Sequence, residues 1–190
     1  MQTAKRRHNR TMSNSLSTRP APDEYAPFYG RYIALVPANN IIVTLRQQMA
    51  DTLDMLASLT EQQALYRYSP EKWSIKEVIG HIIDSERVFA YRALRFARND
   101  KTALPGFEEN EYVMNGGFND RQISDLGKEY EAVRKASISL FEGLGEQAWA
   151  RRGSANESEV SVRALAWIIS GHELHHKGVI RTRYLETMAV

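Results

Sequence analysis

The 190 residues contain no cysteine. That absence removes disulfides, thiolate nucleophiles and cysteine-ligated zinc or iron–sulfur centres, so any metal must be held by His, Asp or Glu. Long apolar runs are missing too, with nothing near the roughly 20 residues that cross a bilayer. Strand-like alternation of any length is absent, as are internal repeats. Acid is missing from one end: residues 1–20 carry Lys5, Arg6, Arg7, Arg10 and Arg19 with no Asp or Glu. The net charge of +2 therefore conceals a remainder holding 20 basic against 23 acidic residues, and neither a basic face for nucleic acid nor a membrane partner is expected. Residues 1–20 also lack the apolar core of a secretory signal and the amphipathic face of a transit peptide. They read as a disordered basic tail, with His8 outside any site, and the protein as cytoplasmic.

With 43% hydrophobic and 25% charged residues the composition is that of a soluble globular chain, long enough for one domain over residues 21–190 without covalent staples. The stretch 21–37, rich in proline and tyrosine, reads as an extended aromatic lead-in packed on the domain. A first long helix is expected from about Asn39 to Leu59, where Leu45, Met49, Thr52, Leu56 and Leu59 repeat at three and four. Ser74 and Glu77 form a capping box for a second, from Ile75 to about Asn99, with Trp73 able to staple onto Val78. Gly80 inside it, lacking a side chain, is expected to let another helix approach closely. A long connection with Pro105, Gly106, Gly116 and Gly117 follows, then a third helix from about Ser124 to Leu144, a loop, and a last helix capped by Ser161 and running to about Glu186. Four helices of this length predict an all-α four-helix bundle. The second connection is long enough to cross the bundle, which gives an up-down-down-up order with helices 2 and 3 parallel.

The last helix carries "SGHELHHKGVI". His172 and His176, four residues apart, project from one face about a turn apart and can chelate one ion. They share that face with Val162, Leu165, Ile169, Val179 and Ile180, so they point into the bundle, where two imidazoles without partners would be costly to bury and a shared cation would satisfy both. His-Glu-x-x-His also suggests a zinc protease. Such a site needs a third ligand downstream, however, and position 182 is Thr while Glu186 lies about 15 Å further along the same helix. An upstream ligand is required, and His81, among Val78, Ile82 and Val88, is the candidate. Three histidines from two helices leave coordination positions open for water or substrate. Asp84 and Glu173 are candidates to orient the ligands or to act as a base, and His175, one residue off the face, to support them.

These residues resemble the DinB-like metal-binding four-helix bundles, the superfamily of the YfiT-like proteins and bacillithiol S-transferases. The likeness is carried by "KWSIKEVIGHIIDSERVFAYRALRFAR" and "SVRALAWIISGHELHHKGVIRTRYL", in which Trp73, Ser74, His81, Asp84, Glu86, His172 and His176 match the family pattern. It implies a divalent metal, zinc or nickel, on His81, His172 and His176, with water or a substrate thiolate in the open positions. The implied activity is a metal-dependent thiol S-transfer or hydrolysis of a small molecule. A low-molecular-weight thiol is a candidate co-substrate and a homodimer a candidate assembly. The alternative is a non-catalytic metal-binding bundle with a structural or stress-related role.

Overall fold

Residues 21–37 do not stay extended. In the computed structural model, which describes residues 16–188, two 3-10 turns, Pro22–Glu24 and Pro27–Tyr29, lead into the single-turn helix α1 (Gly30–Ile33). Each turn has proline near its start, where the fixed φ suits a helix and the missing N–H costs nothing. The lead-in does pack on the domain, with Tyr32 and Ile33 buried. It is joined by the end of the expected tail. Leu16 packs on the core, and the Arg19 guanidinium donates to the carbonyls of Ile33 and Val36, each at 2.6 Å, and lies over the Trp167 ring. The rest of that tail, with His8, lies outside the described residues.

Asn40 closes the start of α2 (Ile41–Ala57) by accepting from the amides of Ile42 and Val43. The capping box opens α3 (Ile75–Ala97): the Ser74 hydroxyl accepts from the Glu77 amide at 3.1 Å, and the Ser74 amide donates to the Glu77 carboxylate at 2.7 Å. The crossover contains a short helix, α4 (Glu109–Asn115), and a 3-10 turn at Phe118–Asp120. Then come α5 (Ile123–Glu142) and, capped by the Ser161 hydroxyl, α6 (Val162–Val179). Beyond Val179 the chain winds more widely, as a π-helix over Ile180–Leu185, before a last turn at Glu186–Met188.

Side-chain contacts fix the directions. Arg46 near the start of α2 pairs with Glu142 at the end of α5, so these helices are antiparallel. Gln48 and Thr52 of α2 reach Ser170 and Glu173 of α6 in the same order, so those two are parallel. Lys76 at the start of α3 donates to the Arg121 carbonyl just before α5, so α3 and α5 are parallel too. The order is up-down-down-up, with the crossover running the length of the bundle.

The expected absence of strands is overturned at one place. β1 (Arg152–Ala155) and β2 (Ser158–Ser161) form an antiparallel hairpin, turned by Asn156 and Glu157 at positive φ of 49° and 60°. Leu104 of the crossover bridges to Ala155, its amide donating to the Ser154 carbonyl at 3.0 Å.

The apolar core divides into two clusters. One holds Ile41, Leu45, Phe89, Phe96, Phe141 and Trp167, and the other Leu56, Ile79, Phe118, Leu126, Ile180 and Tyr184. Between them each long helix turns polar at the same height: Gln48 and Thr52, His81 and Glu86, Arg134, His172 and Glu173, all buried. No described helix is long and apolar enough to cross a membrane.

Candidate metal centre

His81 lies near the start of α3 and His172 and His176 near the end of α6, and antiparallel packing of these helices brings the three together. The Nε2 atoms of His81 and His172 are 3.0 Å apart, those of His172 and His176 3.1 Å. His81 and His172 are buried and His176 half-buried. Burial pushes the imidazole pKa of His81 down to about 4 and of His176 down to about 3, and holds that of His172 well below the usual value; at His176 and His172 the neighbouring imidazoles add to the effect. All three are therefore neutral at ordinary pH. A neutral imidazole has one N–H, and the His172 Nε2 faces two other Nε2 atoms at once. Protons satisfy that arrangement poorly, whereas one cation accepts all three lone pairs, so the residues present fit a divalent metal.

Glycines make the approach possible. Each of two ligand candidates follows one, Gly80 before His81 and Gly171 before His172. A Cβ on Gly80 would sit 2.4 Å from the Phe118 ring, so the close neighbour is the crossover and not another long helix. A Cβ on Gly171 would sit 2.1 Å from the Tyr32 carbonyl oxygen, and α1 lies across α6 at this point with the Tyr32 ring edge-on to His172, centroids 5.4 Å apart. Trp73, expected to staple onto Val78, has its ring 4.9 Å from that of His81.

The other expected site residues are placed differently. The Glu173 carboxylate bonds to no imidazole. One oxygen accepts from Tyr130 (2.7 Å) and Thr52, and the other pairs with Arg134 at 2.7 Å, because this fully buried guanidinium demands counter-charge. Glu86 supplies the second carboxylate to Arg134, at 2.8 Å. Asp84 turns to Arg87, at 3.4 Å, and orients no ligand. His175 stands at the mouth of the site, 5.3 Å from the Tyr32 ring and 5.0 Å from that of His176.

A carboxylate unmarked in the sequence does reach the site. Glu109, at the start of α4, brings Oε2 to 3.8 Å from the His81 Nε2. Nothing in the crossover's composition singles it out. Two clefts reach the triad, one lined by His176 and the other by His172. One, of about 290 Å³, is lined by Trp73, Lys72, Asn110, His175, His176 and Tyr184. The other, of about 110 Å³, is lined by Ser85, Phe89, Arg92, Glu109, Asn156 and His172.

Comparison with known proteins agrees with this geometry. Residues 44–180 match the family model of the DinB superfamily. The chain belongs to the DinB superfamily. A curated protein of Oceanobacillus iheyensis, provisionally named a metal-dependent hydrolase, is 25% identical over 146 residues, covering 74% of this chain and 79% of its own. Among solved structures, YfiT from Bacillus subtilis, provisionally described as a metal-dependent hydrolase with an unusual four-helix bundle topology, superposes with a TM-score of 0.71. It shares 14% identity and the match covers 93% of this chain and 98% of that one. That likeness places this DinB-superfamily chain in the same fold.

Proposed function

We propose that this DinB-superfamily protein is a metal-dependent hydrolase of a small molecule, with His81, His172 and His176 as the ligands of one divalent ion, zinc or nickel. The supporting observation is the convergence of three neutral Nε2 atoms at a point reached by two clefts. The provisional names of the two relatives point the same way. A divalent ion so held supplies Lewis acidity, polarising a bound carbonyl and lowering the pKa of water. The chain's own residues do the rest. Two helices fix the imidazoles, and the rings of Trp73 and Tyr32 exclude water from two sides of the triad. Glu109, exposed and close to His81, is the carboxylate placed to take a proton at Oε2. Glu173 is unsuited to that role, since both its oxygens are engaged by buried partners.

A non-catalytic, structural ion would call for a fourth side chain sealing the site, and among the described residues the nearest carboxylate belongs to the exposed Glu109. Thiol S-transfer is the second reading, because two separate clefts give room for two reactants. Zinc titration of the purified chain tests the ligands. His81→Ala, His172→Ala and His176→Ala should each abolish tight binding while His175→Ala keeps it, and full-strength binding by His81→Ala would overturn the assignment. Small esters and amides, and a thiol with an electrophile, assayed with and without chelator, then separate hydrolysis from transfer.

A further inference from the structure

The smaller cleft holds a cation without a counter-charge among the described residues. Arg92 is 5% exposed, and its guanidinium donates to the Pro105 carbonyl at 2.8 Å, bonds to Tyr29 and lies 5.9 Å from the centre of the Phe89 ring. No carboxylate among the described residues lies within ion-pair distance of it. The other buried guanidinium is treated otherwise, Arg134 being met by two carboxylates. A buried charge left unpaired is costly, and the cost is recovered when an anion arrives. A second group in the cleft lacks a hydrogen-bond partner. Ser85 is 1% exposed, and its hydroxyl makes no hydrogen bond. His81, Ser85, Phe89 and Arg92 follow one another at helical spacing along α3, so the cleft runs from the histidine triad past an unpaired hydroxyl to a guanidinium that faces no carboxylate. Arginine leans back toward the start of its helix, which shortens the roughly 16 Å of axial rise between His81 and Arg92.

We propose that this cleft is a carboxylate-binding subsite, in which Arg92 and Ser85 hold the acid group of a substrate whose reacting bond reaches the triad. The second half rests on the hydrolase reading above; the subsite itself does not. A planar guanidinium matches a carboxylate in two parallel hydrogen bonds. Glu109 on the cleft wall disfavours a dianion such as phosphate, and the volume of about 110 Å³ limits the group to a short acid.

The probe is butyrate, with butyramide as its neutral counterpart and inorganic phosphate as the competing anion. Each is titrated by NMR into the full chain, both zinc-loaded and chelator-treated. Butyrate should bind both forms and perturb the Ser85 and Phe89 amides, with at least about a tenfold preference over butyramide, the discrimination expected of a hydrogen-bonded charge. Arg92→Gln should abolish the preference, Arg92→Lys should keep part of it, and Ser85→Ala should weaken butyrate severalfold. Equal binding of butyrate and butyramide, undiminished butyrate binding by Arg92→Gln, or tighter binding of phosphate overturns the subsite. If Arg92→Gln fails to fold, Ser85→Ala decides, and unchanged affinity in it counts against the proposal. Butyrate binding to chelated protein alongside normal zinc affinity in His81→Ala would remove the hydrolase reading and leave the subsite standing. Normal zinc behaviour without butyrate binding would do the reverse.

Discussion

Arg134 has no exposed surface, and it is charged because carboxylates from two other helices face it, Glu86 from α3 and Glu173 from α6. Burial alone would lower its pKa, yet the two acids hold it well above the usual value. Removing one member of a buried charge group is costly in proportion to what is left unpaired. Arg134→Met strands two carboxylates and should destabilise the chelated protein by about 3–5 kcal/mol. Glu173→Gln leaves the Arg134–Glu86 pair intact, and the hydroxyls of Tyr130 and Thr52 can turn to accept from the new amide, so its cost should stay below about 2 kcal/mol. Urea unfolding of the two variants checks this, and equal losses would show that Glu173 does more than balance charge. The three histidines were legible in the sequence because two share a helix face and the third sits on an apolar stripe. The role of Glu173 was not legible. It stands beside His172 in the chain, but its partners, Thr52, Tyr130 and Arg134, come from two other helices, and no local spacing announces them.

At the scale of elements, caps and apolar periodicity located the four long helices within a few residues, since a side chain such as Ser74 or Ser161 marks an end locally. The hairpin at 152–161 escaped because its strands, Arg-Gly-Ser-Ala and Ser-Glu-Val-Ser, are short and nearly free of β-branched residues, and its turn is Asn-Glu instead of Asn-Gly. α1 escaped because what fixes it is the bare surface of α6 at Gly171, which only the folded chain presents. That contact makes a prediction. In Gly171→Ala the new methyl meets backbone, the Tyr32 carbonyl, whereas in Gly80→Ala it meets the Phe118 ring, which can move more readily. Gly171→Ala should cost about 1–3 kcal/mol, the usual range for an overpacked contact, and more than Gly80→Ala. It should also weaken zinc binding, because Tyr32 packs on His172. Thermal melting and zinc titration of both variants decide it, and a larger loss in Gly80→Ala would mean that the crossover and not α1 is the stiffer support.

For the whole molecule, the up-down-down-up order was legible because the connection between α3 and α5 is long, while a 20-residue helix spans about 30 Å and a short link could only have joined antiparallel neighbours. The boundary of the basic tail was less legible, since Arg19 binds carbonyls, which leave no trace in composition. Chains beginning at Leu16 and at Ala21 should therefore differ. The shorter loses the two Arg19 hydrogen bonds and its stacking on Trp167, and should melt several degrees lower, as a loss of about 1–2 kcal/mol implies. Coincident melting curves would show the Arg19 contacts to be worth nothing. The crossover also sets a sequence of events. His81 and His172 stand 91 residues apart in the chain, and pairing such distant segments requires loop closure that is unfavourable until many contacts form together. The imidazole cluster therefore cannot assemble from local structure alone and requires α3 and α6 to have packed. A nascent chain released before α6 has formed holds only His81 of the three, so an ion that needed all three nitrogens would bind only once folding had run to completion.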